Sequence, residues 1–183
     1  QYIPPVDGNN VRLTIDSVIQ SFTEREMEKC LKEQSAKKVT CIVMDPNTGK
    51  ILAIVNKPDF DNNAPPRDDL KLLQATMRNT AVADALEPGS TFKILTLASG
   101  LDAGVIDENS TFFCGGYRIV EGQKIKCWSA RTHGSETLYE GVQNSCNPVF
   151  MDIALKLGKD RFYDYLYAFG LGKPTGVDLN GEG

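Results

Sequence analysis

The chain has 183 residues, a length that can bury a hydrophobic core, so its length and composition allow one compact unit. Its 20 basic and 24 acidic residues give a net charge of −4, with neither a basic run nor basic residues interleaved with aromatic ones. Nucleic-acid binding is therefore not expected. We find no strongly apolar stretch long enough to cross a bilayer, and no signal peptide.

The first half of the chain has the patterns of a linker, short strands and amphipathic helices. The predicted elements are, in chain order, a linker at residues 1–10, a strand at Val11–Ile15, a helix that Asp16 caps and that runs to about Glu33, strands at Thr40–Met44 and Lys50–Val55 joined by a hairpin turn, a long loop at residues 56–68, and a helix at Asp69–Arg78.

The second half is mainly helical in pattern. Its predicted elements are a helix at Ser90–Ala103, a loop or hairpin at Asp107–Lys126, and helices at about Thr137–Val142, Pro148–Leu157 and Lys159–Phe169. A small antiparallel sheet against helices, with a mainly helical lobe, is an α+β fold.

One helix start carries a hydroxyl and an amine. Ser90 follows a Glu-Pro-Gly turn, and Lys93 lies three positions later, on the same helix face. Desolvation lowers the pKa of a lysine, and a neutral lysine can take the proton of a neighbouring serine. The alternative is structural: Ser90 caps the helix, and Lys93 extends its charged end to water.

The same spacing occurs once more, at Ser35 and Lys38. Polar residues surround that second pair, so its lysine is expected to stay solvated and charged. The helix after Ser90 is apolar, which favours a buried Lys93. The context therefore singles out Ser90 and Lys93 as the candidate nucleophile and base.

A second motif places a hydroxyl and a carboxamide in a turn. Ser145 and Asn147 lie two positions apart, immediately before Pro148 begins another helix. The two side chains suit a proton shuttle beside an amide clamp. The structural alternative is an ordinary helix cap before a first-turn proline.

Together the two motifs resemble those of serine acyltransferases, which include penicillin-binding proteins and β-lactamases. Further segments, in the same order, look like the transpeptidase domain of class B penicillin-binding proteins, with details most like its sporulation-specific members. The segments are Arg12–Asp16, Ile42–Val55, Asn56–Phe60, Leu86–Lys93, Gly134–Ser135, Asn144–Pro148 and Gly170–Leu179. The resemblance implies that residues 11–183 belong to a single domain of this kind.

The resemblance also implies a reaction. Ser90 would be acylated by a peptidoglycan stem peptide that ends in D-Ala-D-Ala, with Lys93 as base, Ser145 as proton shuttle and Asn147 holding the substrate amide. An amine from a neighbouring strand would then form the cross-link. β-Lactams would acylate the same serine, and the chemistry requires no cofactor. The implied setting is the extracytoplasmic face of the bacterial membrane, with an anchor upstream and a cell-wall glycosyltransferase as partner.

One family motif is absent from this sequence. The Lys-Ser/Thr-Gly strand, which in the family binds the substrate carboxylate and adjoins the oxyanion hole, has no counterpart here. We therefore expect an N-terminal portion of a catalytic domain, inactive alone, whose sheet is covered by the C-terminal remainder of that domain or by another copy. The alternatives are a serine β-lactamase, for which no Glu-x-x-Leu-Asn motif is present, or a non-catalytic scaffold domain.

The cysteines suggest a metal site. Cys114, Cys127 and His133, the only histidine, offer two thiolates and an imidazole, which are three ligands of a tetrahedral zinc ion. Asp84, Cys146 or water would complete the set. A Cys114–Cys127 disulfide, consistent with an extracytoplasmic family, and free thiols are the alternatives. Zinc, if bound, would brace the cleft near Ser145 as a structural ion.

Overall fold

The structure is a computed structural model that describes residues 4–182. It contains two compact units: one runs to Ala85 and includes the chain from Val177 onward, and the other is Leu86–Gly176. Residues 1–3 of the predicted linker, and Gly183, lie outside the described residues. In the described part of the chain, no helix combines the length and apolar character needed to span a membrane.

The first unit is built on a helix and a hairpin. Helix α1, Ser17–Glu33, begins where the Asp16 carboxylate accepts the backbone N–H groups of Val18 and Ile19. Strands β1, Val39–Met44, and β2, Ile51–Lys57, pair antiparallel. Two short helices follow, α2 at Leu70–Met77 and α3 at Thr80–Ala83.

The predicted strand at Val11–Ile15 is wrong, because this segment has no regular secondary structure. Two of its apolar residues are exposed, 84% for Val11 and 71% for Leu13. The segment touches β2 through the Thr14 hydroxyl, which donates to the Ile51 carbonyl, and through the N–H of Asp16, which donates to Leu52. These two bonds tether its end, whereas a strand needs a continuous ladder of backbone bonds.

The second unit combines four helices with two small sheets. A 3-10 turn at Gly89–Phe92 leads into α4; the other helices and the strands follow it along the chain. They are α4 (Lys93–Asp102), β3 (Thr111–Cys114), β4 (Tyr117–Val120), β5 (Gln123–Lys126), β6 (Gly134–Thr137), α5 (Leu138–Gln143), α6 (Asn147–Leu157) and α7 (Lys159–Ala168). Strand β3 pairs antiparallel with β6, and β4 with β5.

The α+β class is confirmed, and the predicted helices occur within a few residues of their expected ends. Strand β6 and helix α3 were not predicted, and the second unit holds two sheets where one loop or hairpin was expected. The core of this unit gathers around α6, where Val149 and Ile153 are fully buried. Three cysteines, Cys114, Cys127 and Cys146, belong to the same core.

Candidate active site

The turn before α4 presents Ser90. Gly89 has a φ of 59°, a left-handed conformation that favours glycine, and the Thr91 hydroxyl donates to the Pro88 carbonyl at 2.6 Å. Ser90 is exposed within this 3-10 turn. Lys93, the first residue of α4, is half-buried. The predicted helix start is thus present, with its hydroxyl at the surface.

Lys93 connects this turn to the Ser145-x-Asn147 motif. Its ammonium donates to the Ser145 carbonyl at 2.6 Å, to the Ser145 hydroxyl at 2.9 Å and to the Asn147 side-chain oxygen at 2.7 Å. None of these three bonds reaches Ser90. The structure therefore brings Lys93, Ser145 and Asn147 together through direct bonds, and it relates Ser90 to them through the short helical turn before Lys93.

The surroundings of Lys93 favour its neutral form. Burial lowers the pKa of its ammonium below the ordinary lysine value, whereas the nearby sulfurs of Cys127 and Cys146 oppose that shift. The ring of Phe150 lies 5.2 Å from Nζ, so an aromatic face forms part of the enclosure. The direction of this shift is the one that a lysine base needs.

Ser145 is held in a strained turn between α5 and α6. Its φ is 47°, in the left-handed region that costs a non-glycine residue about 1–2 kcal/mol. Its N–H donates to the Val142 carbonyl at 3.0 Å, and the next N–H, of Cys146, donates to Gly141 at 2.9 Å. Pro148 then lies in the first turn of α6. The turn is thus fixed by backbone bonds on one side and by a helix start on the other.

The amide side chains of this turn reach back to the sheets. Asn147 donates from its side-chain nitrogen to the Lys126 carbonyl at 3.0 Å, which fixes its oxygen toward Lys93. Asn144 donates to a carboxylate oxygen of Glu136 at 2.8 Å, and its own carbonyl accepts the indole N–H of Trp128 at 2.8 Å. Both amides are therefore oriented before any ligand arrives.

The cysteine cluster differs from the predicted metal set in one residue. Ligand atoms of Cys114, Cys127, His133 and Cys146 all lie within 4.8 Å of one another. Asp84 is not part of this group; it belongs to the first unit, where its carboxylate pairs with Lys38 at 3.3 Å and Arg78 at 2.7 Å. Of the choices that the sequence left open for the fourth ligand, Cys146 is the side chain that lies with the other three.

All five cysteines are free thiols in this structure. Burial raises the pKa of the Cys146 thiol strongly. Burial alone would also raise the pKa of Cys127, but backbone N–H groups of Ser129 and Asn147 donate to its sulfur and lower that pKa overall. The pKa values of these two neighbouring thiols are therefore shifted in opposite directions.

Sequence reasoning missed Glu136. This residue is buried, 3% exposed, and its carboxylate contacts both Asn144 and the neighbourhood of His133. One carboxylate oxygen accepts from Asn144, and the other lies 3.7 Å from Nδ1 of His133. The alternation of strand β6, which turns Glu136 inward between exposed Ser135 and Thr137, was the signal that could have identified it.

The sequence matches a known family: the family model of the penicillin binding protein transpeptidase domain matches residues 39–183. This chain belongs to that family. Stage V sporulation protein D of Bacillus subtilis is 39% identical over 184 residues, which cover 100% of this chain and 28% of that protein. Peptidoglycan D,D-transpeptidase FtsI of Escherichia coli K12 is 32% identical over 96% of this chain and 29% of its own length. The resemblance to class B penicillin-binding proteins is confirmed.

Solved structures of a penicillin binding protein are also similar to this chain. Penicillin binding protein 3 of Mycobacterium tuberculosis superposes with a TM-score of 0.84 and 29% identity, over 93% of this chain and 38% of that one. The same protein complexed with aztreonam gives the same values. The chain spans less than a third of the length of the curated relatives it matches, such as stage V sporulation protein D and FtsI.

Proposed function

We propose that this chain provides the nucleophile, base and proton shuttle of a peptidoglycan D,D-transpeptidase that works through a serine acyl-enzyme. The observation that carries the proposal is the set of three bonds from Lys93 to Ser145 and Asn147, in a chain of the transpeptidase family. These bonds connect the two sequence motifs through one half-buried amine.

The first step is acylation of Ser90. Its oxygen attacks the carbonyl between the two terminal D-alanines of a stem peptide, and its proton passes to neutral Lys93. A charged Lys93 uses all three of its protons on the acceptors of Ser145 and Asn147. A neutral amine has two protons and a free electron pair, which becomes available to the Ser90 hydroxyl.

The second step releases the terminal D-alanine. Its leaving nitrogen takes a proton from the Ser145 hydroxyl, which is replenished from the ammonium 2.9 Å away. Asn147, oriented by Lys126, holds the substrate amide. An amine of a neighbouring strand then attacks the acyl-enzyme, forms the cross-link and frees Ser90. The serine supplies the nucleophile, so this scheme requires no cofactor.

The proposal extends to the setting of the whole protein. A peptidoglycan substrate places the reaction on the extracytoplasmic face of the bacterial membrane, where a cell-wall glycosyltransferase would supply the strands. The Lys-Ser/Thr-Gly motif of the family is absent from this sequence, so the 183-residue chain alone should not turn over substrate. Loss of a single oxyanion-hole donor already costs about 10²–10³ in rate.

Mass spectrometry of the natural full-length protein after excess benzylpenicillin tests the proposal. We expect a stable adduct of one penicilloyl group that maps to Ser90 and is absent from Ser90→Ala. Ser35→Ala, in the other Ser-x-x-Lys pair, is the matched control and should label fully. An adduct that persists in Ser90→Ala, or that never forms in the natural protein, refutes the assignment. Rapid hydrolysis of the adduct would instead favour a β-lactamase.

A further inference from the structure

A second group of chemically active side chains is joined to the Ser145-x-Asn147 turn through Cys146. It consists of three sulfurs and one imidazole, whose ligand atoms lie within 4.8 Å of one another. Cys114 and Cys146 are fully buried, and Cys127 is buried too. We call the four residues Cys114, Cys127, His133 and Cys146 the thiol cluster.

The spacing of the thiol cluster is close to that of a tetrahedral zinc site. With Zn–S near 2.3 Å and Zn–N near 2.0–2.1 Å, neighbouring ligand atoms of a tetrahedron are about 3.6–3.8 Å apart. The sulfur of Cys127 lies 3.8 Å from Nδ1 of His133. The four side chains therefore need only small movements to close around an ion.

Four separate segments deliver these ligands. Cys114 ends β3, Cys127 follows β5, His133 precedes β6, and Cys146 is the N-cap of α6. The N–H of Cys127 donates to Gly116 at 2.8 Å, and that of Cys146 donates to Gly141 at 2.9 Å. The backbone thus holds two of the ligands in place independently of their sulfurs.

A buried carboxylate with an unsatisfied oxygen borders the thiol cluster. Oε2 of Glu136 has no hydrogen-bond partner among the described residues, although its side chain is 2% exposed. It lies 3.7 Å from His133 Nδ1 and so faces the thiol cluster. A buried carboxylate oxygen without a partner is costly, so the polar atoms of this pocket are not all satisfied by the described residues.

We propose that the thiol cluster binds one Zn²⁺ ion, with three thiolates and the imidazole as ligands. Thiolate and imidazole ligands suit zinc, and four protein ligands leave no open position, so the ion is structural. Cysteines that only fill a core need not converge on a histidine, whereas these three sulfurs and the imidazole lie within 4.8 Å of one another. Because Cys146 lies between Ser145 and Asn147, the ion also fixes the turn that receives Lys93.

The primary test uses the natural sequence, purified with a thiol reductant and without chelators. We expect about one equivalent of zinc by elemental analysis, and X-ray absorption with three sulfur ligands near 2.3 Å and one nitrogen near 2.0–2.1 Å. Replacement by Co²⁺ should give the strong visible bands of a tetrahedral thiolate site. Trp128, the only tryptophan, follows Cys127 and should change its fluorescence when metal binds.

Matched variants identify the ligands. Cys146→Ser and Cys114→Ser should each lose the stoichiometric zinc and the cobalt spectrum. Cys30→Ser and Cys41→Ser, which change thiols of the first unit, should keep both. The measurements on the natural sequence remain decisive if a ligand variant fails to fold.

Three results would overturn the proposal: less than about half an equivalent of zinc together with no cobalt spectrum, a Cys114–Cys127 disulfide in protein kept with the reductant, or equal zinc loss in Cys30→Ser and Cys146→Ser. None of these readouts depends on acylation. The metal site therefore stands or fails separately from the proposed transpeptidase function.

Discussion

The ammonium of Lys93 lies 2.9 Å from the hydroxyl of Ser145, although 52 positions separate the two residues along the chain. This contact distinguishes the two Ser-x-x-Lys pairs of the sequence. Lys38, in the other pair, is 54% exposed at its side chain and bonds to Asp84 at 3.3 Å. Lys93, by contrast, is half-buried and donates to the oxygens of Ser145 and Asn147.

Replacement of Lys93 should abolish efficient acylation. Lys93→Met in the natural full-length protein removes the proposed base, so we expect acylation by benzylpenicillin to slow by roughly 10²–10⁴-fold. The variant also leaves three acceptors without their donor, which should lower the free energy of unfolding by about 1–3 kcal/mol. Stopped-flow or quenched-flow mass spectrometry measures the rate, and circular dichroism verifies the fold.

Lys38→Met is the matched control for this experiment. It removes an exposed lysine at the same motif position, so the acylation rate should change by less than about two-fold. Equal losses of rate in Lys38→Met and Lys93→Met would show that the buried amine has no special part in the chemistry.

The acylation rate should depend on pH through Lys93. Burial lowers its pKa below the ordinary 10.5, and only its neutral form accepts a proton. The rate constant should therefore rise with pH and reach its plateau at a pH below that expected for an exposed lysine. Lys93→Met should lack this rising limb. A limb centred at or above 10.5 would contradict a desolvated base.

The lowered pKa of Lys93 should also make the stability of the folded chain depend on pH. Between the lowered pKa of Lys93 in the folded chain and its ordinary value in the unfolded chain, the unfolded chain holds the proton that the folded chain has lost. Stability contributed by this group therefore increases with pH across that window, and the gain is lost as pH falls through the folded pKa. Urea unfolding at several pH values, compared with Lys93→Met, measures it.

Much of the fold could be predicted because its signals are local. Asp16 and Asp69 cap helices with their own side chains, and Pro148 marks the start of α6. Strand β6 could not be predicted in this way, because it is four residues long and its partner β3 lies about twenty positions earlier. The segment Val11–Ile15 has a strand-like pattern, but no neighbouring strand pairs with it along the described chain.

The candidate site likewise has a part that the sequence shows and a part that it does not. Ser90 and Lys93 are linked by helix periodicity, which the sequence shows directly. The bonds from Lys93 to Ser145, and the choice of Cys146 over Asp84 in the thiol cluster, depend on how distant segments pack. No periodic pattern carries that information. Asp84, one of the fourth ligands that the sequence leaves open, instead pairs through its carboxylate with Lys38 and Arg78.

Substitutions at Ser145 should distinguish the effect of backbone strain on stability from the effect of the hydroxyl on acylation. Its φ of 47° suits glycine, so Ser145→Gly should be more stable than Ser145→Ala by about 1–2 kcal/mol. Both variants lack the hydroxyl that relays the proton in the proposed mechanism, so both should slow acyl transfer, by roughly 10²-fold. Thermal unfolding and the rate of penicillin acylation provide the two measurements.

Ser35 offers the control, since its φ of 49° is nearly the same. Ser35→Gly should likewise be more stable than Ser35→Ala, but neither should alter acylation. If Ser145→Gly and Ser145→Ala react at the natural rate, Ser145 has no part in the proton transfer.

Close packing behind the Ser145 turn should make Gly141 sensitive to substitution. A Cβ at Gly141 would lie 2.8 Å from Cγ1 of Val149, a fully buried side chain. Overpacking of this kind costs about 1–3 kcal/mol and outweighs the helix preference of alanine, which is worth about 1 kcal/mol. We expect Gly141→Ala to lower the free energy of unfolding and, because the Gly141 carbonyl accepts the Cys146 N–H, to slow acylation.

Two variants check that the clash is the cause. Gly8→Ala, where no atom lies within 4 Å of the new Cβ, should change stability by no more than about 0.5 kcal/mol. Val149→Ala makes room, so the double variant Gly141→Ala with Val149→Ala should lose less stability than the two single losses added together. Strictly additive losses in urea unfolding would show that the methyl group at position 141 does not meet Val149, and that α5 and α6 are packed less tightly behind the turn.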